Sequence, residues 1–221
     1  MVQFVLSPAD HERVAEAVAA AERGTDGEIV TIVATNSDRY QDVPLHYAVL
    51  AMLLAAALAT IDLDWLNWGG SAWEVADTGR ILLGLVIAQA VLFLAVRYAV
   101  AWTPLKLALT PRATKRRRVR RRAVQYFKVG AERRTQARVG ILLYLSTDEH
   151  MAELIADEAI VRAVSPERWG DAMAALVSAV RDGRSGDGMV AAVAAIGVIL
   201  SESFPKTSED VNELPDRLIE L

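Results

Sequence analysis

The sequence predicts an α/β domain interrupted by a two-helix transmembrane hairpin, and three observations predict it. Two stretches, 43–61 and 81–105, are nearly free of charge and long enough to cross a bilayer. A capped helix and a strand rich in β-branched residues precede them, and a second series of helix and strand patterns follows. The hydrophobic share of the chain, 53% of 221 residues, exceeds what soluble domains use, and the excess is concentrated in those two stretches.

The first soluble segment, 1–42, opens its helix with Ser7-Pro8-Ala9-Asp10: a Ser N-cap, Pro at the first helical position and an acidic side chain three residues after the cap. Val14 and Val18, with Ala15, Ala19 and Ala21, make a narrow apolar stripe, and Gly24 marks the stop. Glu28 to Ala34 (EIVTIVA) reads as a strand buried on both faces. One helix and one strand cannot make a core, so this segment needs a partner on the same side of the membrane.

The hairpin is assigned to 43–105. Residues 43–61 hold 19 uncharged positions, about 28 Å of helix against a hydrocarbon core of about 30 Å. Residues 81–105 carry one charge, Arg97, whose stem can snorkel toward the interface where Tyr98 and Trp102 also sit. Neither stretch reads as a cleaved signal: the first lies some forty residues in, after patterned polar sequence, and lacks a basic n-region. The external loop, 62–80, has Asp62, Asp64, Glu74 and Asp77 against Arg80 alone, whereas nine basic residues lie between Lys106 and Arg122. The positive-inside bias puts the loop outside and both termini in the cytoplasm, with Trp65, Trp68 and Trp73 as an outer aromatic belt.

The remainder, 106–205, starts with a helix over Arg112 to Arg138, basic early and then amphipathic through Val119, Ala123, Tyr126, Phe127 and Ala131. Val139 to Ser146 (VGILLYLS) is an apolar strand and Thr147-Asp148-Glu149-His150 a polar break. The next segment, Met151 to Asp157, fits a helix or a strand. Ser165-Pro166-Glu167 caps a helix to about Asp182, with Trp169, Met173, Leu176, Val177 and Val180 on its buried stripe. A last helix runs from Asp187 to Ser203 and ends at Phe204-Pro205. The acidic tail, 206–221, is expected to be mobile or lightly docked.

The order of these features resembles the TPM domain family. It is carried by Glu28-Ile29-Val30, Tyr126-Phe127, Arg138-Val139-Gly140-Ile141-Leu142-Leu143-Tyr144-Leu145-Ser146, Ile155-Ala156-Asp157-Glu158, Trp169, Gly188-Met189 and Phe204-Pro205, over roughly 7–40 and 112–205. The resemblance implies an α/β/α sandwich with a small sheet, the hairpin inserted between its first strand and second helix. It also implies that Met151 to Asp157 pairs as a strand with the one before it. Family members include accessory proteins of photosystem II repair, and some are associated with calcium or with weak acid phosphatase activity. Better-known relatives carry a signal peptide and work in a lumen or outside the cell, which departs from the cytoplasmic placement expected here.

The chain has no cysteine, which excludes a disulfide scaffold, a thiol nucleophile and thiolate zinc sites. His11, His46 and His150 form no pair at metal-binding spacing. Asp148, Glu149, Asp157 and Glu158 fall at the ends of the expected strand pair, and oxygen ligands from loops are what Ca²⁺ or Mg²⁺ require; Asp148, Asp157 and Glu158 are the candidate ligands, for Ca²⁺ first, and no other cofactor is expected. The plainer reading of these carboxylates is a solvated acidic edge. Gly183-Arg184-Ser185-Gly186-Asp187-Gly188 follows a helix and lacks a GK[ST] ending, so it reads as a helix–helix connection and not a phosphate loop. Lys115, Arg116, Arg117, Arg118, Arg120, Arg121 and Arg122 suit anionic lipid headgroups at a membrane surface. With only Tyr126 and Phe127 near them, nucleic acid is not the expected partner. The expected function is an inner-membrane accessory or scaffold subunit for a membrane protein complex or homo-oligomer, more a support role than an enzyme. The alternative is a divalent-metal-dependent phosphatase using the acidic cluster.

Overall fold

The computed structural model describes residues 6–60, 78–130, 139–207 and 217–221. Trp65, Trp68 and Trp73, the acidic residues expected in the external loop, Ala131, Arg138 and 208–216 of the acidic tail lie outside the described residues. In chain order the elements are α1 (Pro8–Glu22), β1 (Glu28–Ala34), α2 (Asp42–Ala59), α3 (Thr78–Ala101), α4 (Thr103–Leu109), α5 (Arg112–Gly130), β2 (Gly140–Ser146), β3 (Met151–Ala156), α6 (Glu158–Ala163), α7 (Pro166–Arg181), α8 (Ser185–Ser203) and β4 (Ile219–Glu220). They form two compact units: Met1–Asp38 with Ala113–Leu221, and Arg39–Arg112.

The first unit is mixed α/β with a four-stranded sheet in the order β3-β2-β1-β4. β1 pairs in parallel with β2 from Glu28↔Gly140 to Ala34↔Ser146, and β2 pairs antiparallel with β3. Alternate residues of a strand point to opposite faces, and both faces of this sheet are covered, which is why β1 and β2 are mostly apolar and are buried along their whole length. On one face Val30, Ile32, Leu142 and Tyr144 meet Val119, Ala123 and Phe127 of α5. On the other, Ile29, Val33, Ile141 and Leu143 meet Val14 and Val18 of α1, Leu176 and Val180 of α7, and Met189, Val193, Ile196 and Leu200 of α8. Two glycines of α8 allow close helix contact: a Cβ at Gly197 would lie 2.5 Å from Ala21 Cβ, and one at Gly188 would lie 2.8 Å from Ala179 Cβ.

Local signals account for much of this unit. Ser7 Oγ accepts from Asp10 N–H at 3.1 Å while the Asp10 carboxylate accepts from Ser7 N–H at 3.1 Å, the reciprocal cap that starts α1. Met151–Ala156 is a strand and not a helix, because its backbone completes a ladder with β2 from Ile141↔Ala156 to Ser146↔Met151. Ser165 stands at the N-cap of α7 yet makes no side-chain capping bond. The tail, expected to be mobile or lightly docked, is docked at its end: Ile219 and Glu220 pair in parallel with Ile32 and Val33, and Leu221 N–H donates to Val33 O at 2.9 Å. The short helix α6 was not expected.

In the second unit α2 and α3 pack along each other. Tyr40, Val43 and Tyr47, around the start of α2, share a small cluster with Val96 and Val100 at the end of α3 and with Leu105, Leu107 and Leu109 of α4. The two long helices therefore run in opposite senses. The second apolar stretch is not one helix: α3 stops at Ala101, Trp102 turns to an extended conformation, and α4 follows. Pro104 explains the break, since it has no N–H for the carbonyl four residues back and its ring clashes there, while it suits the first turn of a new helix. Tyr47 Oη donates to Leu109 O at 3.0 Å, and Lys106 Nζ donates to Arg39 O at 2.9 Å. These contacts draw residues 39–42 and 106–112 into this unit, beyond the 43–105 expected for the hairpin.

Among the described residues, three helices are apolar and long enough to cross a membrane: Asp42–Ala59, Gly79–Ala101 and Ser185–Ser203.

Candidate functional site

β1 and β2 run parallel and end side by side, so the segments leaving them, 35–38 and 147–150, meet at one edge of the sheet. Thr147 N–H donates to Ala34 O at 3.0 Å and Asp148 N–H to Thr35 O at 2.9 Å, which extends the ladder into the turn. His150 closes that turn in the left-handed region, φ 49°. The carboxylate of Glu149, only 4% exposed, is thereby held under the end of the sheet.

Glu149 is the hub of a buried polar cluster. Its Oε2 accepts from Ser37 N–H at 3.0 Å and from Ser37 Oγ at 2.9 Å, and it also accepts from Ser146 Oγ. Ser37 Oγ lies 3.0 Å from Tyr144 Oη. Burial pushes the Tyr144 phenol up to about 12; the Ser37 hydrogen bond acts against that, and the nearby Glu149 charge adds to it. Asp148 is also held above the ordinary carboxylate value, first by burial and then by Glu149, with His150 opposing. A charged carboxylate surrounded by donors is strongly bound by them, so Glu149 fixes segment 35–38 against the turn 147–150.

Helix α5 closes this cluster. Val119, Ala123 and Phe127, spaced by four, lie on its buried face, and that sets where the basic residues point. Arg122 Nε donates to Ser37 O at 3.1 Å, and its guanidinium lies 5.7 Å from the centroid of the Tyr126 ring, which is 5.9 Å from that of Tyr144. Arg118 and Arg121 pair with Asp38 at 3.5 and 3.6 Å, and Arg116 and Arg120 with Glu153 at 4.0 and 3.5 Å. Burial holds the Glu153 carboxyl above its ordinary value although both arginines pull the other way. Lys115 and Arg117 form no ion pair among the described residues.

The basic stripe is therefore partly engaged within its own domain. Arg116, Arg118, Arg120 and Arg121 answer two carboxylates of their own domain, and Arg122 holds a backbone carbonyl. Sequence reasoning missed Ser37, Asp38, Tyr144, Ser146 and Glu153, whose roles depend on which loop ends are neighbours. The basic run itself held a signal: so many arginines at the start of a helix that also carries an apolar stripe must find some partners in the protein.

The expected three-residue metal set is divided. Asp148 is in the turn at one end of the β2–β3 pair, while Asp157 and Glu158 are at the other, beyond five residue steps, or roughly 17 Å. No single ion can take ligands from both ends. Asp157 Oδ2 accepts from Gly140 N–H at 2.8 Å, and Glu158 pairs with Arg162 one helical turn on. Among the described residues no group of three or more His, Asp or Glu is placed to hold a metal. His11 lies 3.0 Å from Glu220 on β4, and His46 is on the exposed side of α2.

The Gly183–Gly188 segment is a helix–helix connection, with Gly183 at φ 77° and α8 beginning at Ser185. It borders a cleft of about 270 Å³ with Leu6, Asp10 and Arg13. The polar groups there answer one another: Arg13 bonds Asp10 at 3.1 Å and Asp187 at 2.6 Å, and a Cβ on Gly186 would fall 2.3 Å from Asp10 Oδ1. Asp10 thus packs closely against the first turn of α8.

No family model and no curated protein matches this chain. Among solved structures it is similar to the NMR structure of BA42 protein from the psychrophilic bacterium Bizionia argentinensis sp. nov.. The TM-score is 0.57 at 15% sequence identity, covering 100% of this chain and 99% of the other. At that identity the likeness is one of fold alone.

Proposed function

We propose that this protein is a TPM-like inner-membrane protein in which α2 and α3 cross the bilayer and both termini lie in the cytoplasm. In this reading the α/β unit is a support module, serving the assembly, maintenance or stability of a membrane protein complex. One observation carries the membrane part: α2 and α3 present Leu53, Leu54, Leu58, Leu82, Leu83, Val86, Ile87 and Val91 at 55–64% exposure. A soluble protein does not leave so continuous an apolar surface in water. The motif order, the sheet covered by helices on both faces and the basic residues that follow α3 support the rest. Lys115 and Arg117, which form no ion pair among the described residues, are the cations left to meet anionic headgroups, each worth about 1 kcal/mol near such a surface.

The test is alkaline carbonate extraction followed by affinity purification of the full chain in mild detergent. Retention in the membrane pellet and co-purification of defined membrane subunits in fixed proportion are expected. Release by carbonate would end the membrane reading, and recovery of the protein with nothing specific bound would end the accessory one.

A further inference from the structure

Arg97 is the only charged residue between Ile81 and Leu105, and it stands on the outer side of α3. Val96 and Val100 pack with residues of α2 and α4 and mark the seam of the helix pair. At 3.6 residues per turn Arg97 is turned about 100° away from Val96, onto a wall it shares with Leu94, Tyr98 and Ala101. All four are exposed, Leu94 at 51% and Tyr98 at 73%. The guanidinium of Arg97 forms no hydrogen bond or ion pair among the described residues.

Its depth is set by the helix. Arg97 lies four residues, about 6 Å, from the end of α3 at Ala101, so its stem carries the guanidinium to the level where hydrocarbon gives way to headgroups. Tyr98 and Trp102, the latter 62% exposed, are side chains that favour that same boundary. A cation on a lipid-facing wall is costly unless something neutralises it. The protein supplies nothing: Asp42 is the only carboxylate among the described residues of this unit, and it does not pair with Arg97. Lipid phosphates are the groups that remain at that depth, and the planar guanidinium fork matches two of their oxygens at once.

The surrounding charge selects among lipids. Residues 39–47 and 96–112 at this end of the unit hold Arg39, Arg97, Lys106 and Arg112 against Asp42 alone. A positive surplus of that kind favours lipids of net negative charge over zwitterionic ones. We infer that Arg97 holds the phosphate of an anionic phospholipid in the cytoplasmic leaflet. This rests on α3 crossing the membrane in the sense proposed above.

The test offers the full chain, purified in mild detergent, equal amounts of phosphatidylglycerol and phosphatidylcholine and counts the retained lipid by native mass spectrometry. Phosphatidylglycerol should be retained preferentially, and millimolar inorganic phosphate should not displace it, because it lacks the acyl chains that lie along the apolar wall below Arg97. Arg97→Leu should weaken that retention roughly 5-fold, Arg97→Lys should keep more of it, and the charge-matched control Arg112→Leu should change it by less than about 2-fold. Removing a charge from α3 favours insertion, so Arg97→Leu does not endanger the membrane helix itself. Carbonate extraction of the same variants separates the two possible failures. Protein that stays in the membrane but retains both lipids equally, loses phosphatidylglycerol equally in Arg97→Leu and Arg112→Leu, or releases it to phosphate overturns the inference and leaves the spanning reading intact. Protein released by carbonate removes the spanning reading, and the inference with it.

Discussion

Helices α8 and α3 look alike in sequence and do opposite things. Both are long, apolar and poor in charge, yet more than half of the apolar stretch is buried in α8 and none of it in α3. The apolar residues of α8 go into the core against β1, β2, α1 and α7, and Gly188 and Gly197 bring it close to its neighbours. Those of α3 point outward at every turn except the flank along α2. Hydropathy measures how badly a side chain tolerates water; it does not say whether protein or lipid removes the water.

The contrast can be broken most directly in the core. Ile196→Ala should destabilise the α/β unit by about 2–5 kcal/mol, since Ile196 is fully buried, whereas Val91→Ala in α3 should change that unit's stability by far less. Pulse proteolysis of the detergent-solubilised protein measures both, and equal effects would erase the distinction between the helices. The second test is the reverse substitution of charge. Val91→Arg near the middle of α3 should cost about 3 kcal/mol of membrane insertion and leave the α/β unit folded, read as the carbonate-resistant fraction.

Within the α/β unit, Glu149→Ala would leave the Ser37 and Ser146 donors facing an empty site and should cost about 2 kcal/mol in denaturant unfolding. Nothing comparable should follow from Lys115→Ala. A smaller effect of opposite sign is expected at Thr31, whose hydroxyl is buried with no hydrogen-bond partner among the described residues. Thr31→Val should raise stability by about 1 kcal/mol, seen as a higher Tm.

The smallest effect concerns pH. Glu153 has a folded pKa raised above 4.5, so the folded state binds its proton more tightly than the unfolded one does. Stability from this group is present below about 4.5 and is lost as pH rises through the folded value. Asp148 acts in the same direction, so the comparison must be made between Glu153→Gln and the parent protein. The variant should lose less stability between pH 4.5 and neutrality, and parallel curves for the two would remove Glu153 as a contributor.

Legibility followed the range of the physics. The Ser7–Asp10 cap and strand β1 were readable because caps and alternating or continuous apolar runs act within a few residues. Strand β3 was ambiguous in its own sequence, and pairing with β2 decided it. The elbow at Trp102 was missed although Pro104 signalled it, because the apolar run continues through the break. Strand β4 could not be read at all: two residues carry no periodicity, and their state depends on an open edge of β1 far away in the chain.

The candidate site divides in the same way. Where the basic residues lie along α5 is a matter of sequence, and so is the scarcity of charge in α2 and α3. Which arginines keep their charge for an outside partner depends on the fold, because Asp38 and Glu153 reach α5 only once β1 and β3 lie beside β2. The same dependence divides the acidic residues: Asp148, Glu149, Asp157 and Glu158 look like one cluster in sequence until a hairpin puts Asp148 at one end and Asp157 at the other. Composition and local pattern determined the elements and the apolar surplus. Tertiary structure alone decided which charges neutralise one another and which apolar helix is sheltered by protein, because both depend on distances between residues that only packing brings together.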